Sequence, residues 1–354
     1  MAPLQSTLEA TILNSASPLL TIAIPTWQRA SFLEITLEQL RLELHRLPAV
    51  RQSLVEIVVS DNASEDNTAA VVAREDAAGL KIRYICNAEN IGSDANIAQC
   101  FNVAAGHYVQ ILGDDDLFVD GALERLLDAL ERDEWGVVCM RPYGFEHDFR
   151  REYPGGKGND RAYDHVDAFL PAIGPLLTLI SSCVINKRLL PGADAMNFRG
   201  GNLVQVHLAL RAALAARVNL VMNRYLIACK RNNSGGYDFS QVFVTNLGAI
   251  LDGYRRDGLG AQAIERYEQR MMFAYYPFYL FRQRLANAGD VRATARRFSE
   301  RLGDRGLYRW WLAPILVWPR PLALVWGGLA TLIGRAVSGD LRRGIAFAWN
   351  RARR

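Results

Sequence analysis

The feature that most constrains the fold is a repeated unit in the first third of the chain, where a short apolar strand is followed by a polar loop and a helical segment. The predicted strands cover residues 19–24, 55–59, 82–85 and 107–112. The predicted helical segments cover residues 32–47, the stretch that follows the polar loop 60–67 and runs through residue 73, and residues 94–105. Strands that alternate with helices favour an α/β fold with a mostly parallel sheet covered on both faces. Ligands bind such sheets at the carboxyl ends of the strands.

The most acidic of the predicted strand ends is the triplet Asp114, Asp115 and Asp116. Three successive carboxylates repel one another unless a cation or solvent relieves the repulsion. In an extended stretch residues i and i+2 project to the same side, so we expect Asp114 and Asp116 to face one metal ion. Mg²⁺ and Mn²⁺ prefer oxygen ligands and can stabilise a departing diphosphate. The alternative is a solvated acidic turn that caps a helix beginning near Gly121.

The charge of the chain is distributed unevenly along its length. Half of the residues are apolar and 22% are charged, which excludes a largely disordered or collagen-like chain. The net charge is only +4, yet residues 282–354 hold fifteen Arg and no Lys against four acidic residues. That tail carries +11 and the rest −7, which indicates an anionic partner for the tail. Aromatic residues in the tail sit among aliphatic ones rather than alternating with cations, so nucleic-acid binding is not expected.

The apolar part of the tail predicts helices that lie on a membrane. Residues 308–333 contain four Trp, and Pro314 and residues 319–321 divide this region into pieces of about eight to fourteen residues, too short to span a bilayer. Tryptophans flanked by arginines are typical of helices at the surface of an anionic leaflet, and residues 341–354 repeat the arrangement. A hydrophobic helical subdomain, an interface in a homo-oligomer and a re-entrant hairpin are the alternatives.

The N-terminus and the cysteines predict a cytoplasmic protein. Residues 1–20 lack a basic region and a long apolar stretch, so no secretory signal is expected. The five cysteines are scattered and lack the paired spacing of a zinc or redox site, which predicts reduced and mostly buried thiols.

Four segments, taken in order, resemble family 2 glycosyltransferases of the GT-A fold, a Rossmann-like α/β class. They are Ile-Ala-Ile-Pro-Thr (22–26), Val-Val-Ser-Asp-Asn-Ala-Ser (58–64), Asn-Ala-Glu-Asn-Ile-Gly (87–92) and Leu-Gly-Asp-Asp-Asp (112–116). The resemblance covers residues 19–117 and extends more weakly to about 237. Within the family, the chain is most similar to bacterial O-antigen or capsule transferases, including the abequosyltransferase-like group.

The resemblance implies transfer of a hexosyl or deoxyhexosyl group from a nucleotide-diphosphate sugar to a hydroxyl. It also implies the following roles: Pro25, Thr26 and Arg29 line the nucleotide, Asp61 bonds the base or ribose, Asn90 and Asp115 contact the nucleotide, and Asp114 and Asp116 bind Mn²⁺ or Mg²⁺. Asp61 and Asn90 have an alternative as ordinary turn residues. Asn96 is a weaker candidate of the same kind.

The chain departs from the family at the general base. Inverting members usually carry an acidic pair at a helix start in the second half, whereas residues 200–208 contain no acid. His207 has a suitable pKa and is the first candidate, with Asp194 as the alternative, and a packed structural histidine is the competing interpretation of His207. The loop 230–237 begins with Lys230 and Arg231, which we expect to close over the diphosphate unless it is an ordinary basic turn.

The expected organisation is an extension (1–18), a nucleotide-sugar-binding half (19–140), an acceptor-binding half (141–240) and a helical, membrane-associating region (241–354). Residues 181–183 are predicted to end a strand and line the acceptor pocket. A membrane-facing tail suggests a polyprenyl-diphosphate-linked glycan as acceptor, at the cytoplasmic face of the inner membrane. The rival hypotheses are a nucleotidyltransferase, whose first loop is normally Gly-rich unlike residues 25–29, and a catalytically silent membrane scaffold.

Overall fold

The computed structural model describes residues 17–156, 158–231 and 236–337. Most of the predicted extension 1–18, the stretch 341–354 and four residues of the loop 230–237 lie outside the described residues.

A nine-stranded sheet forms the centre of the protein, with strand order β3-β2-β1-β4-β8-β6-β9-β5 and β7 paired with the beginning of β9. The strands are β1 (Leu20–Thr26), β2 (Val55–Asp61), β3 (Ile82–Cys86), β4 (Tyr108–Ile111), β5 (Leu117–Phe118), β6 (Val137–Phe145), β7 (Arg161–Tyr163), β8 (Cys183–Asn186) and β9 (Asn219–Lys230). All four strands predicted from the sequence are present, and they are mutually parallel.

The second half of the sheet differs from the mostly parallel prediction. Strand β8 lies between β4 and β6 and is antiparallel to both, and β5 and β7 are antiparallel to β9. The sheet is therefore mixed, because β8 enters it from the opposite end and not through the strand–helix alternation that makes β1 to β4 parallel. Residues 181–183 consequently lead into β8 and do not end a strand as predicted.

Helices cover the sheet and form the C-terminal region. They are α1 (Ala30–His45), α2 (Ala49–Gln52), α3 (Thr68–Glu75), α4 (Ser93–Val103), α5 (Ala122–Arg132), α6 (Val166–Ile173), α7 (Val204–Ala215), α8 (Leu247–Gly253), α9 (Ala261–Arg270), α10 (Tyr276–Ala286), α11 (Val291–Leu302), α12 (Ala313–Val317) and α13 (Arg320–Val337). Short 3₁₀ turns lie at Gly174–Thr178, Ile180–Ser182, Lys187–Leu189 and Ala195–Phe198, and π-helical turns at Asp76–Leu80, Gln241–Asn246, Met271–Tyr275 and Tyr308–Leu312.

Two apolar clusters hold these layers together, one on each face of the sheet. Helices α1 and α5 pack on one face. Helices α4, α6 and α7 pack on the other, and their cluster continues into the C-terminal helices through residues such as Leu312 and Ile315. Because Leu312 and Ile315 are fully buried, the C-terminal helices are part of the same folded body as the sheet.

Helix α13 is longer than the sequence breaks predicted. Pro321 stands in its first turn, where a missing N–H leaves no hydrogen bond unmade, so the proline starts the helix and does not divide it.

The start of α5 is not capped by the acidic triplet, which was the alternative to a metal site. Glu43 caps it instead, because its carboxylate accepts hydrogen bonds from the N–H groups of Gly121 and Leu123. Over the described ranges, no helix is long and apolar enough to cross a membrane.

Candidate active site

The carboxyl ends of β1 and β4 bring the first-loop residues against the acidic triplet. Thr26 ends β1, and its hydroxyl donates a hydrogen bond of 2.8 Å to Oδ2 of Asp114. Arg29, in the loop before α1, pairs through Nε with Oδ1 of Asp114 at 2.9 Å and through Nη2 with Oδ2 of Asp115 at 2.6 Å. The structure thus brings together four residues that the sequence assigned to one site, although they are up to 89 positions apart.

Asp116 is held by a different set of groups. The hydroxyl of Ser181 donates to its Oδ2 at 2.5 Å, and the backbone N–H of Lys230 donates to its Oδ1 at 3.3 Å. The same Ser181 oxygen accepts a hydrogen bond from the N–H of Gly113. A Cβ atom at Gly113 would lie 3.2 to 3.4 Å from oxygens of Asp116, Asp115 and Ser181, so only glycine fits without displacement.

The predicted extended arrangement of the triplet is wrong. The N–H of Asp116 donates to the carbonyl of Gly113 at 3.1 Å, which closes a turn over these residues. Asp114 therefore faces β1 and the first loop, whereas Asp116 faces Ser181 and the end of β9. The i, i+2 rule fails here because the strand ends at Ile111.

Burial makes the triplet electrostatically unusual. Removal from water raises the pKa of Asp114 to about 6, although the nearby Arg29 charge and the Thr26 hydroxyl oppose the rise. The same effect, assisted by the charge of Asp115, raises the pKa of Asp116 to about 7. The raised pKa values indicate that the positive charge near these two carboxyl groups does not compensate for their burial.

A divalent cation at this edge would be held by few protein ligands, with substrate and water completing its coordination. In the parts of the chain that the structure describes, no three His, Cys, Asp or Glu side chains converge as a closed metal cage. Mg²⁺ and Mn²⁺ are commonly held by one or two carboxylates together with substrate phosphates. Asp114 and Asp116 are the predicted pair, and in this structure their carboxylates face different partners.

Asp61 and the asparagines around it form a second polar cluster, at the ends of β2 and β3. Oδ1 of Asp61 accepts a hydrogen bond from the N–H of Ser64 at 3.0 Å, and Oδ2 accepts one from the hydroxyl of Tyr84. Asn90 accepts from Asn62 and from the N–H of Gly92, as expected of a turn residue. Asn96 exchanges two hydrogen bonds with Ser60 and so fastens α4 to β2.

Lys230 and Arg231 lie at the end of β9 beside the triplet. The ammonium of Lys230 donates to the carbonyl of Glu146, and the N–H of Arg231 donates to the carbonyl of Phe145 at 2.9 Å. Burial lowers the pKa of Arg231. The nearby charges of Glu152 and Glu146 oppose this lowering. Residues 232–235 of this loop lie outside the described residues.

The two candidate bases contact residues other than the triplet. His207, on α7, stacks on Phe198 with ring centroids 4.7 Å apart, and its Nδ1 lies 3.1 Å from the hydroxyl of Tyr254. Burial lowers the pKa of His207, which favours the neutral imidazole. Asp194 is exposed, caps a 3₁₀ turn and accepts a hydrogen bond from Asn102. No hydrogen bond or ion pair joins either residue to Asp114, Asp115 or Asp116 within the described ranges.

Sequence reasoning missed several partners of the site. Tyr84 is an inner residue of β3, and Thr36 on α1 donates to the backbone carbonyl of Asp114 at 2.9 Å. Ser181 was assigned to an acceptor pocket, and its contact with Asp116 was not foreseen. The sequence offered one signal for these contacts: Thr36 places a hydroxyl in an otherwise apolar stripe of a helix, where a buried hydroxyl needs a hydrogen-bond partner.

The part of the chain that holds the first loop and the acidic triplet matches a known protein family. Residues 21–175 match the model of glycosyl transferase family 2. Abequosyltransferase RfbV of Salmonella typhimurium is 30% identical over 125 residues, which is 35% of this chain and 36% of that protein. The GalNAc(5)-diNAcBac-PP-undecaprenol beta-1,3-glucosyltransferase of Campylobacter jejuni is 30% identical over 111 residues, or 31% and 34% of the two chains. The chain thus spans about a third of the length of these curated relatives.

Solved structures extend the likeness in fold. Residues 1–349 of S. aureus TarS in complex with UDP-GlcNAc match with a TM-score of 0.57 and 12% identity, over 91% of this chain and 92% of that one. The same protein in complex with UDP matches with a TM-score of 0.58 and 14% identity, over 90% and 91%. Residues 21–175 are therefore similar to glycosyl transferase family 2, and the fold that this chain shares with TarS continues through the C-terminal helices.

Proposed function

We propose that the protein transfers a hexosyl or deoxyhexosyl group from a nucleotide-diphosphate sugar to a hydroxyl of a glycan. The observation that carries the proposal is the link from Thr26 and Arg29 to Asp114 within the family 2 domain. It joins the predicted nucleotide loop to the predicted metal ligands at one edge of the sheet, where α/β folds bind ligands.

Different residues of this edge would bind different parts of the donor. Asp61 and Tyr84 would bond the nucleoside, with Pro25 and Asn90 beside it. Arg29, Lys230 and Arg231 would pair with phosphate oxygens, because guanidinium and ammonium groups bind phosphate through charge-assisted hydrogen bonds. A Mn²⁺ or Mg²⁺ ion held by Asp114 and Asp116 would supply positive charge to the leaving diphosphate.

An inverting transfer also needs a base that takes the proton of the acceptor hydroxyl. His207 is the first candidate, because its lowered pKa favours the neutral, proton-accepting form at pH 7. Asp194 is the alternative, since its pKa is lowered by the hydrogen bond from Met196 and it stays ionised. Either group must reach the acceptor oxygen once substrate is bound.

We further propose a lipid-linked acceptor, carried on a polyprenyl diphosphate at the cytoplasmic face of the inner membrane, in bacterial surface polysaccharide synthesis. Two observations support it. One of the similar proteins is named for an undecaprenol-linked substrate and another for abequosyl transfer. The positive tail fits peripheral attachment to an anionic membrane surface.

The test is release of nucleoside diphosphate from a panel of UDP-, GDP-, dTDP- and CDP-sugars by the full chain with Mn²⁺. We expect one donor to be turned over slowly by hydrolysis and faster with acceptor, and Asp116→Ala to abolish both while remaining folded. Full activity of that variant would contradict the assignment. Diphosphate release from a sugar phosphate and a nucleoside triphosphate would support the nucleotidyltransferase instead, and no turnover of any donor would favour the silent scaffold.

A further inference from the structure

Helix α13 presents an apolar face to solvent. Leu322, Val325, Leu329 and Leu332 are all exposed, and their spacing of three and four residues places them in one stripe along the helix. Val325 is 74% exposed, and Leu322 and Leu332 are each 57% exposed. A surface stripe of this kind on a folded protein marks an interaction site.

Five more exposed large apolar side chains lie in the same stretch of chain as the stripe, and we call the whole set the α13 face. The α13 face consists of Trp310, Val317, Trp318, Leu322, Val325, Leu329, Leu332, Ile333 and Val337. These nine are more than half of the seventeen large apolar side chains that are exposed among the described residues. They lie within 28 consecutive positions, so the exposed apolar surface is concentrated and not scattered.

The opposite side of α13 fixes this face in place. A Cβ atom at Gly327 would lie 3.2 Å from Phe281 and 3.3 Å from Ile315, and one at Gly334 would lie 2.7 Å from the carbonyl oxygen of Phe273. Ala330 is fully buried in the same seam. The small residues let α13 pack closely on α10 and α12, so turning the apolar stripe inward would require unpacking the helix.

The charge around the α13 face indicates what covers it. Residues 306–337 contain Arg309, Arg320 and Arg335 and no acidic residue, and residues 338–354 add five Arg against one Asp. Arg309 and Arg320 are exposed, and each lies within two positions of a residue of the face along the chain. A second copy of the chain would bring these positive charges together, which disfavours a symmetric dimer. An anionic bilayer accepts apolar side chains and cations at once.

We propose that the α13 face inserts into the headgroup region of an anionic membrane, with Trp310 and Trp318 at the level of the headgroups. This proposal rests on the membrane attachment proposed above and names the surface and the partner of that attachment. It does not depend on the identity of the donor or on the reaction. Helix α10, on which α13 packs, carries Tyr279, whose ring stacks on Phe239 at 4.2 Å. Phe239 lies two positions after the loop 230–237, so this contact joins α10 to the segment that follows the loop.

The experiment measures flotation of the full chain with vesicles of phosphatidylcholine and phosphatidylglycerol in equal parts, and with vesicles of phosphatidylcholine alone. We expect binding to the anionic vesicles, weaker binding to the neutral ones and further weakening at high salt. The variant Leu322→Glu, Val325→Glu, Leu332→Glu should bind the anionic vesicles at least about a hundredfold less tightly, since each buried aliphatic side chain is worth about tenfold or more.

A matched control carries the same three charges elsewhere. Ile35→Glu, Leu42→Glu, Val50→Glu changes exposed side chains on α1 and α2 and should leave vesicle binding unchanged. Val325→Glu alone, at the most exposed position of the stripe, should weaken binding about tenfold and serves if the triple variant does not fold.

Equal vesicle binding by wild type and stripe variant would overturn the proposal, as would failure of the wild type to bind anionic vesicles. A lipid-free dimer that the stripe variant converts to a monomer would assign the face to a second copy instead. Nucleotide binding by the stripe variant should match that of the wild type, so loss of attachment is distinguishable from failure of the proposed activity.

Discussion

Replacing Asp116 by Asn should make the metal-free protein more stable at pH 8. Asp116 is buried, and its carboxylate receives hydrogen bonds from Ser181 and from the N–H of Lys230. Those two bonds do not compensate the loss of water, because the pKa of the group is raised to about 7. An amide of the same shape keeps a hydrogen-bond acceptor for Lys230 and removes the buried charge.

The size of the effect follows from the pKa. A carboxyl that titrates at about 7 when folded and at 3.8 when unfolded loses about 4 kcal/mol of folding free energy on ionisation. Because the folded pKa is the higher one, the native state binds more protons between about pH 4 and 7, and stability falls as pH rises through that window. We expect Asp116→Asn to gain about 2 to 4 kcal/mol at pH 8 and about nothing near pH 4.

Urea unfolding with a chelator at pH 8 and near pH 4 measures the difference. Asp120→Asn is the matched control, because Asp120 pairs with Arg150 at 2.9 Å and its pKa is lowered by that contact. The control should lose stability at pH 8 under the same change of chemistry. If Asp116→Asn instead destabilises the protein at pH 8 by as much as the control does, Asp116 is a structural group and our account of the site is wrong.

Three further predictions concern the donor and the base. Arg29→Gln removes the cation that bridges Asp114 and Asp115, so calorimetry should show Mn²⁺ alone binding about tenfold more tightly and nucleoside diphosphate more weakly; unchanged metal affinity would refute this role. Tyr84→Phe should weaken nucleotide binding by about 1 kcal/mol, measured with the sugar-free nucleotide, because Asp61 loses a hydrogen-bond donor. His207→Ala should lower kcat with acceptor by about a hundredfold and leave donor hydrolysis intact, and an unaltered kcat would transfer the role to Asp194.

Local patterns were enough to predict the four parallel strands and the residues at their ends. The runs that became β1, β2, β3 and β4 are apolar and β-branched, and each is bounded by loop-forming residues, so their ends could be placed from the sequence. The link between Thr26 and Asp114 follows from those ends, since β1 and β4 are parallel neighbours.

Contacts between distant segments were beyond the sequence. Ser181 reaches Asp116 across 65 positions, because β8 is inserted antiparallel between β4 and β6. No local periodicity carries that information. The turn at Asp114 to Asp116 was missed for a related reason: whether a strand continues through acidic residues depends on the partners that the fold supplies, here Arg29 and Ser181.

Thermal unfolding with nucleoside diphosphates is the measurement that tests the central claim most directly, namely that Asp114 and Asp116 form the metal-assisted donor site. At about a hundred times its Kd, a bound nucleotide adds about 2.7 kcal/mol of stability. We predict that one nucleoside diphosphate raises the Tm of the wild type with Mn²⁺, less so with a chelator, and not at all in Asp114→Asn, Asp116→Asn. Equal stabilisation of wild type and double variant, with or without Mn²⁺, would contradict the account.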